Sequence, residues 1–249
     1  MAMQEAIGFD TQVRRTRIHE QIITILLKKI IQGEIAPGDK LPTERAMAED
    51  FSVNRATVRE AVRYLEHLEL LEIRQGDGTY ARSYLESSNL ELLKVLAQTD
   101  EHLNPDILSS LLELRRLTIP EMAYHAALKR TDGHVARLEE IVRSSPGLPI
   151  MERDKMIYHV MAQASRNIVY VLMTNFYEEF FDYFGYLYFE KEPNIARSQR
   201  FHEEILAAVT RQNAGQARSI VKDVLLYAEQ AVFAEMKNRL RAGGDFAYA

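Results

Sequence analysis

The chain has 249 residues with no cysteine, a hydrophobic fraction of 47% and a formal net charge of −5. Its length favours two domains over one, and the lack of cysteine excludes disulfides, thiolate metal sites and a cysteine nucleophile. No run of 18 apolar residues occurs, and residues 1–10 lack the basic and then apolar pattern of a signal peptide, so we expect a cytoplasmic protein without a membrane span.

The negative charge is unevenly distributed along the chain. Residues 10–82 contain 12 Lys and Arg against 12 Asp and Glu, whereas residues 83–249 contain 19 against 23. Neutralisation of phosphates is the largest sequence-independent part of DNA affinity, so a uniformly acidic chain would bind DNA poorly. The neutral first third leaves DNA binding open for that part of the chain.

Three helices are predicted in this first third. Apolar residues at helical spacing predict a helix from Arg14 to Ile31. Thr43 is a candidate N-cap of a short second helix that ends near Ser52, and Asn54 is a candidate N-cap of a third helix from Arg55 to Leu68. The apolar residues of the third helix form one buried stripe: Val58, Ala61, Val62, Leu65 and Leu68.

The period then changes from helical to strand-like. Leu70–Ile73 and Thr79–Arg82 are short strand-like runs on either side of a glycine-containing turn, which predicts a hairpin. Three helices and a hairpin in this order form a winged helix-turn-helix over residues 10–82. The polar residues 83–89 are predicted to be a linker.

Helical periodicity dominates the rest of the chain. It predicts six or seven antiparallel helices over residues 90–241, with no strand. The expected fold class is therefore mainly α, with a winged helix-turn-helix followed by an all-helical bundle for ligand binding and dimerisation.

The start of the third helix has the composition of a recognition helix. Such a helix uses arginines to hydrogen-bond base edges in the major groove, with small residues alongside. Arg55 and Arg59 lie four residues apart and share a face, and the tip of the hairpin could enter the minor groove. The residues expected at the DNA interface are Arg45, Asn54, Arg55, Thr57, Arg59, Gln75 and Gly76. In the alternative interpretation, Arg55, Arg59 and Arg63 form an ordinary solvated face. They would then pair with Glu60, Glu66 and Glu69 through helical spacing.

Two sequence segments resemble the GntR family of transcription regulators. They are GEIAPGDKLPTER at residues 33–45 and VNRATVREA at residues 53–61. The resemblance continues into the helical region as the FadR subfamily. It implies a homodimer that binds a palindromic DNA operator and responds to a small-molecule effector, and it implies DNA contacts at Arg45, Arg55, Thr57, Arg59 and Gly76. The family often has His at the position of Gln75, so this minor-groove contact departs from the family pattern.

Many members of the subfamily hold a divalent metal with one Asp and three His. Asp154 and His202 match two of these positions, but Tyr158 and Val224 occupy the other two, so the resemblance implies no metal and no cofactor. Asp154, Tyr158 and His202 are instead expected to line a cavity. An alternative keeps a metal and a small carboxylic acid as effector, with His159 and a water in place of the lost ligands.

The helical region is more similar to the members that respond to long-chain acyl-CoA and also lack the metal. Nine aromatic residues fall within residues 176–189, and Phe181 and Tyr188 among them are predicted to wall an apolar pocket. Arg115 falls where the subfamily places a pocket-facing Arg that meets a carboxylate or phosphate. The alternatives are a plain core or subunit interface for the aromatics, and a surface ion pair with Glu113 or Glu121 for Arg115.

The expected function is therefore a regulator whose operator affinity depends on a fatty acyl-CoA or a related apolar acid, which points to lipid metabolism. An allosteric repressor is the form we expect. An enzyme built on the helical domain is the other class considered, but the sequence contains no GxSxG, HExxH, P-loop or dinucleotide-binding motif.

Overall fold

The chain divides into two compact units, Met1–Thr99 and Asp100–Ala249. The computed structural model of the protein describes residues 18–97, 105–143 and 147–241. The predicted start of the first helix at Arg14 lies outside the described residues. Each unit is described separately below.

The first unit begins with three helices. They are α1 (Ile18–Ile31), α2 (Glu44–Asp50) and α3 (Arg55–His67). The predicted stripe of α3 is fully buried and packs against the isoleucines and leucines of α1. Both predicted N-caps are confirmed, because Thr43 Oγ1 accepts a hydrogen bond from the Ala46 amide and Asn54 Oδ1 accepts one from the Thr57 amide.

An antiparallel hairpin completes the winged helix-turn-helix. Its strands are β1 (Leu71–Arg74) and β2 (Gly78–Ala81), each starting one residue away from the predicted start. Leu71 pairs with Ala81, and both are buried, so the base of the hairpin is fixed against the core. Gly76 at the tip has φ +78°, in the left-handed region that favours glycine.

The segment after the hairpin is fastened to the end of α3. Ser87 Oγ donates to the Leu68 carbonyl at 3.0 Å, and Asn89 Nδ2 donates to the His67 carbonyl at 2.9 Å. The Ser88 amide donates to the Glu69 carboxylate at 2.6 Å. We call residues 87–89 the clasp. The clasp lies within the predicted linker, 83–89, and its backbone is bound to the winged domain.

A short helix, α4 (Glu91–Ala97), follows the clasp and also belongs to the first unit. Leu92 and Leu96 are buried, and Glu91 accepts a hydrogen bond from the Tyr64 hydroxyl of α3 at 2.9 Å. The sequence predicts that the helical domain begins at residue 90. The boundary between the two compact units lies later, after Thr99, and Glu91 joins α4 to α3.

In the described residues of the second unit, all regular secondary structure is helical. Its helices are α5 (Pro105–Lys129), α6 (Asp132–Arg143), α7 (Ile150–Ala164), α8 (Ile168–Phe189), α9 (Glu192–Thr210) and α10 (Ala214–Arg241). With α4 they make seven helices in the described part of residues 90–241, which confirms the predicted number and class. α5 packs against α7, α8, α9 and α10 and is the centre of the bundle. No helix in the described ranges combines the length and apolar character needed to cross a membrane.

Candidate DNA interface and ligand cavity

Arg55 and Arg59, the predicted base readers, lie at the exposed start of α3 in different environments. Arg59 donates two hydrogen bonds to Glu44 of α2. Its Nε lies 2.9 Å from Glu44 Oε2, and its Nη2 lies 2.8 Å from the same oxygen. This ion pair joins the starts of the two helices of the helix-turn-helix. Arg55 is exposed and has no ion pair among the described residues. The Arg55 guanidinium is therefore without an ion pair in the described part of the chain, whereas Glu44 binds that of Arg59.

The alternative interpretation paired the arginines of α3 with Glu60, Glu66 and Glu69, but these glutamates have other partners. Glu60 lies 3.7 Å from His19, and Glu66 accepts a hydrogen bond from the Ile73 amide at 3.3 Å. Glu69 binds the clasp through Ser88. The three glutamates are thus engaged by α1, by β1 and by the clasp.

Three other predicted DNA contacts have local partners. The Thr57 hydroxyl donates to Asn54 Oδ1 at 3.1 Å, so both side chains take part in the cap of α3. Arg45 Nε lies 3.7 Å from Glu49, and both side chains are largely exposed. The main role of Asn54 and Thr57 that the structure shows is therefore to stabilise the start of α3.

The wing contains two cations that our sequence interpretation did not include. Lys40 Nζ lies 2.9 Å from Asp77, and the Arg74 guanidinium lies 4.2 Å from the centroid of the Tyr80 ring. Hydrogen bonding to Asp77 raises the pKa of Lys40, and the same bond lowers the pKa of Asp77. The predicted Gln75 and Gly76 are exposed at the tip beside them. The hydropathy pattern could not identify Lys40, because it is 37 residues from Asp77 in the chain.

The second unit contains a cavity lined by α5, α7, α8, α9 and α10. It encloses about 720 Å³ of space not occupied by atoms, including its open mouth. Its wall contains five of the six predicted ligand-binding residues: Arg115, Asp154, Tyr158, Phe181 and Tyr188. Most of the remaining wall is aliphatic and aromatic, including Leu108, Leu111, Phe180, Val224, Leu225 and Val232. The aromatic cluster of α8 therefore includes walls of a cavity as well as packed core.

Arg115 lies in this wall between two aromatic rings. Its guanidinium is 5.2 Å from the centroid of Tyr158 and 5.4 Å from that of Phe181. The alternative of a surface ion pair is wrong, because Glu121 binds Arg218 at 2.7 Å and Arg115 has no ion pair among the described residues. The two rings attract the cation without neutralising its charge.

Two tyrosine hydroxyls in the cavity wall are strongly buried. Burial raises the pKa of Tyr158 far above its usual value, and it raises the pKa of Tyr188 to about 12. Both phenols are therefore neutral donors at pH 7. The Tyr188 hydroxyl makes no well-formed hydrogen bond, although the residue is only 5% exposed. A buried donor of this kind is satisfied when a ligand supplies an acceptor.

His202, the sixth predicted ligand residue, does not line the cavity. Its Nε2 lies 2.8 Å from Asp154 Oδ1, and both side chains are buried. His202 therefore acts on the cavity through Asp154, whose carboxylate it orients.

The residues present do not form a metal site of the subfamily type. Asp154, Tyr158 and Val224 line the same cavity, so the four family positions do converge, but a phenol and an alkyl group replace two imidazoles. His159 bonds Glu178 at 2.7 Å and lines a second cavity whose wall does not include Asp154, so it does not substitute for a lost ligand. Within the described chain, no three His, Asp or Glu side chains are grouped to hold a metal.

A winged helix-turn-helix joined to an all-helical domain defines a class of protein, the DNA-binding transcription regulators of the winged-helix type. The chain belongs to the GntR family and to its FadR subfamily. Residues 18–81 match the family described as "Bacterial regulatory proteins, gntR family", and residues 82–243 match the "FadR C-terminal domain".

Named relatives are transcription regulators. LutR of Bacillus subtilis (strain 168) is 30% identical over 201 residues, which cover 76% of this chain and 90% of LutR. The fatty acid metabolism regulator protein of Shewanella sp. (strain ANA-3) is 26% identical over 187 residues, which cover 72% of this chain and 75% of that protein. A solved structure of Lar of Listeria monocytogenes has a TM-score of 0.54 at 16% identity and covers 90% of this chain and 99% of that one. At this identity the likeness to Lar shows the fold alone.

Proposed function

We propose that the protein binds a palindromic operator as a homodimer and that an amphipathic acid in the cavity of the second unit controls this binding. The observation that carries the proposal is the unpaired Arg115 guanidinium in the wall of a mostly apolar cavity. A cation in such a site favours an anionic group, and Arg binds carboxylates and phosphates through two parallel hydrogen bonds.

The remaining wall selects the rest of the ligand. Aliphatic and aromatic side chains in the wall favour a hydrocarbon body for the ligand. The Tyr188 hydroxyl offers a hydrogen bond from the wall of the same cavity. A fatty acyl group, as a free acid or a CoA thioester, combines these properties. The two Shewanella relatives named fatty acid metabolism regulators support this ligand class.

The DNA contacts follow from the first unit. Arg55 reads a base edge from the start of α3, Arg59 joins it on release from Glu44, and Arg45 contacts the same groove or its phosphates. Gln75 and Gly76 approach the minor groove from the wing. Because a dimer presents two recognition helices to two half-sites, an effector that changes their spacing changes operator affinity.

A thermal-shift screen tests the effector class. Acyl-CoAs, fatty acids, hydroxy acids and sugar acids are added to the purified protein, with free coenzyme A as a control. A ligand at 100 times its dissociation constant stabilises the folded state by about 2.7 kcal/mol. We expect a shift with acyl compounds, and we expect it to be lost in Arg115→Gln but kept in Arg137→Gln, since Arg137 lies on the surface of α6 beside Glu140.

The same ligand is then added to the protein bound to an operator selected from random duplexes. We expect the operator affinity to change at least tenfold. A ligand that binds the cavity but leaves operator affinity unchanged would contradict the proposed coupling.

A further inference from the structure

A second cavity adjoins the ligand cavity of the second unit. It encloses about 360 Å³ of space not occupied by atoms, including its mouth, which is half of the 720 Å³ of the first cavity. Three helices line it, each with two residues four positions apart: Arg115 and Ile119 of α5, Lys155 and His159 of α7, and Thr174 and Glu178 of α8. Residues at this spacing share one face of a helix, so the second cavity lies between three helix faces.

The two cavities have four wall residues in common. They are Arg115, Tyr158, Tyr177 and Phe181. The Arg115 guanidinium lies between two of the shared rings, 5.2 Å from the centroid of Tyr158 and 5.4 Å from that of Phe181. The cavities therefore adjoin at these side chains, and Arg115, with its five N–H donors, can bind groups in either one.

The second cavity differs from the first in its charged wall. Lys155 Nζ lies 2.9 Å from Glu152 Oε1, and the Lys155 side chain is 9% exposed. His159 Nε2 lies 2.7 Å from Glu178 Oε2, and this pair joins α7 to α8. A hydrocarbon chain would remove water from these charged groups without replacing its hydrogen bonds, which is unfavourable. The alkyl part of a ligand is therefore favoured in the first cavity and its polar end in the second.

The balance of charge in this wall favours an anion. Its described residues include two cations, Arg115 and Lys155, and one acid, Glu178. The acid already binds His159, whereas Arg115 has no ion pair in the described part of the chain. A carboxylate in the second cavity would thus meet one buried ammonium group and one unpaired guanidinium.

We infer that the second cavity is a further compartment of the effector site, which binds an anionic group attached beyond the carbonyl of the acyl chain. The chain lies in the first cavity, the carbonyl accepts a hydrogen bond from Arg115, and the terminal anion lies beside Lys155. This compartment presupposes the proposed function, in which the first cavity binds an amphipathic acid, and it narrows the class of ligand. The class is an acyl compound with a short anionic extension, such as an N-acyl amino acid. A free fatty acid ends at Arg115 and leaves the second cavity without a ligand group.

Isothermal titration calorimetry with three ligands of the same chain length tests the compartment. Decanoic acid ends at its carboxylate, N-decanoylglycine carries the carboxylate beyond an amide carbonyl, and N-decanoylglycinamide has the same extension without the charge. We expect N-decanoylglycine to bind about 10- to 100-fold more tightly than the other two, because a hydrogen bond between charged groups contributes about this factor. Equal affinities for decanoic acid and N-decanoylglycine would overturn the inference.

Lys155→Met locates the anion, with Lys222→Met as the matched control. Methionine keeps an unbranched side chain but removes the charge, and Lys222 is exposed on α10 outside both cavity walls. The preference for N-decanoylglycine over decanoic acid should be lost in Lys155→Met, with an unchanged circular dichroism spectrum, and kept in Lys222→Met. A preference that survives Lys155→Met would overturn the inference.

A second variant does not depend on Lys155. His159→Trp places a larger ring in the second cavity, and the His159 side chain is 31% exposed, so the bundle can accommodate the change. It should weaken binding of N-decanoylglycine more than binding of decanoic acid, and an equal loss of both would contradict the second compartment. Decanoic acid binding that survives Arg115→Gln would instead contradict the proposed function. Binding that requires Arg115 but gains nothing from the glycine extension would contradict the second compartment alone.

Discussion

Replacing Arg55 by alanine tests the assignment of the recognition helix. Arg55 lies at the exposed start of α3 and has no ion pair among the described residues, so nothing in the free protein has to be broken before it contacts DNA. The loss should therefore approach the full value of a two-bond contact to guanine, about 1–3 kcal/mol, or about 5- to 150-fold in affinity.

The assay is fluorescence anisotropy with a selected operator and a scrambled duplex of the same length, at several salt concentrations. Arg55→Ala should weaken operator binding much more than scrambled-duplex binding. Arg55→Lys keeps the charge but loses the planar fork, so it should retain scrambled-duplex binding and lose the preference for the operator. An equal loss on both duplexes with Arg55→Ala would assign this residue to a phosphate and refute the reasoning.

Arg59 provides an internal comparison. It is bound by Glu44 at 2.8 Å, so contact with DNA exchanges one partner for another. Arg59→Ala should therefore weaken operator binding by a smaller factor than Arg55→Ala. Glu44→Gln should strengthen binding to both duplexes, because it weakens the hold on Arg59 and removes one negative charge next to the start of α3. A larger effect of Arg59→Ala than of Arg55→Ala would show that the Glu44 ion pair does not limit Arg59.

Three further predictions concern the cavity. Asp154→Ala leaves His202 buried without its partner and should lower the free energy of unfolding by about 1–3 kcal/mol in urea titrations, whereas an unchanged midpoint would show that the pair adds no stability. Tyr188→Phe removes a buried hydroxyl that has no well-formed bond, so the free energy of unfolding should change by less than about 1 kcal/mol while effector affinity falls. The double variant Tyr158→His with Val224→His supplies two imidazoles to a cavity that already contains Asp154, and metal analysis should then find zinc or nickel at one equivalent per chain. Binding of the same metal by the unmodified chain would contradict the need for these two imidazoles.

Local chemistry made the winged domain predictable. Thr43 and Asn54 start their helices through bonds to amides three residues away, and Gly76 allows the tight turn of the hairpin. Signals of this kind lie within a few residues of the structure they specify, so a single sequence contains them.

Contacts between distant residues could not be predicted in the same way. Glu44 and Arg59 are 15 residues apart, and Asp154 and His202 are 48 apart. The helical pattern of α4 does not state which surface buries Leu92 and Leu96, so the sequence could not predict that its contacts place it in the first compact unit. Pro120 is a further case in which tertiary packing overrides a local signal. Proline normally ends a helix, but in this chain it lies inside α5, which packs against four other helices.

The clasp has a mechanical consequence. Its two side-chain bonds end on carbonyls of residues 67 and 68, which close the recognition helix, and a third bond ends on the next carboxylate. The chain therefore leaves the winged domain from the C-terminal end of α3, and not from the tip of the wing. A displacement of the chain beyond the clasp would reach the winged domain first at that end of α3, opposite to its capped start.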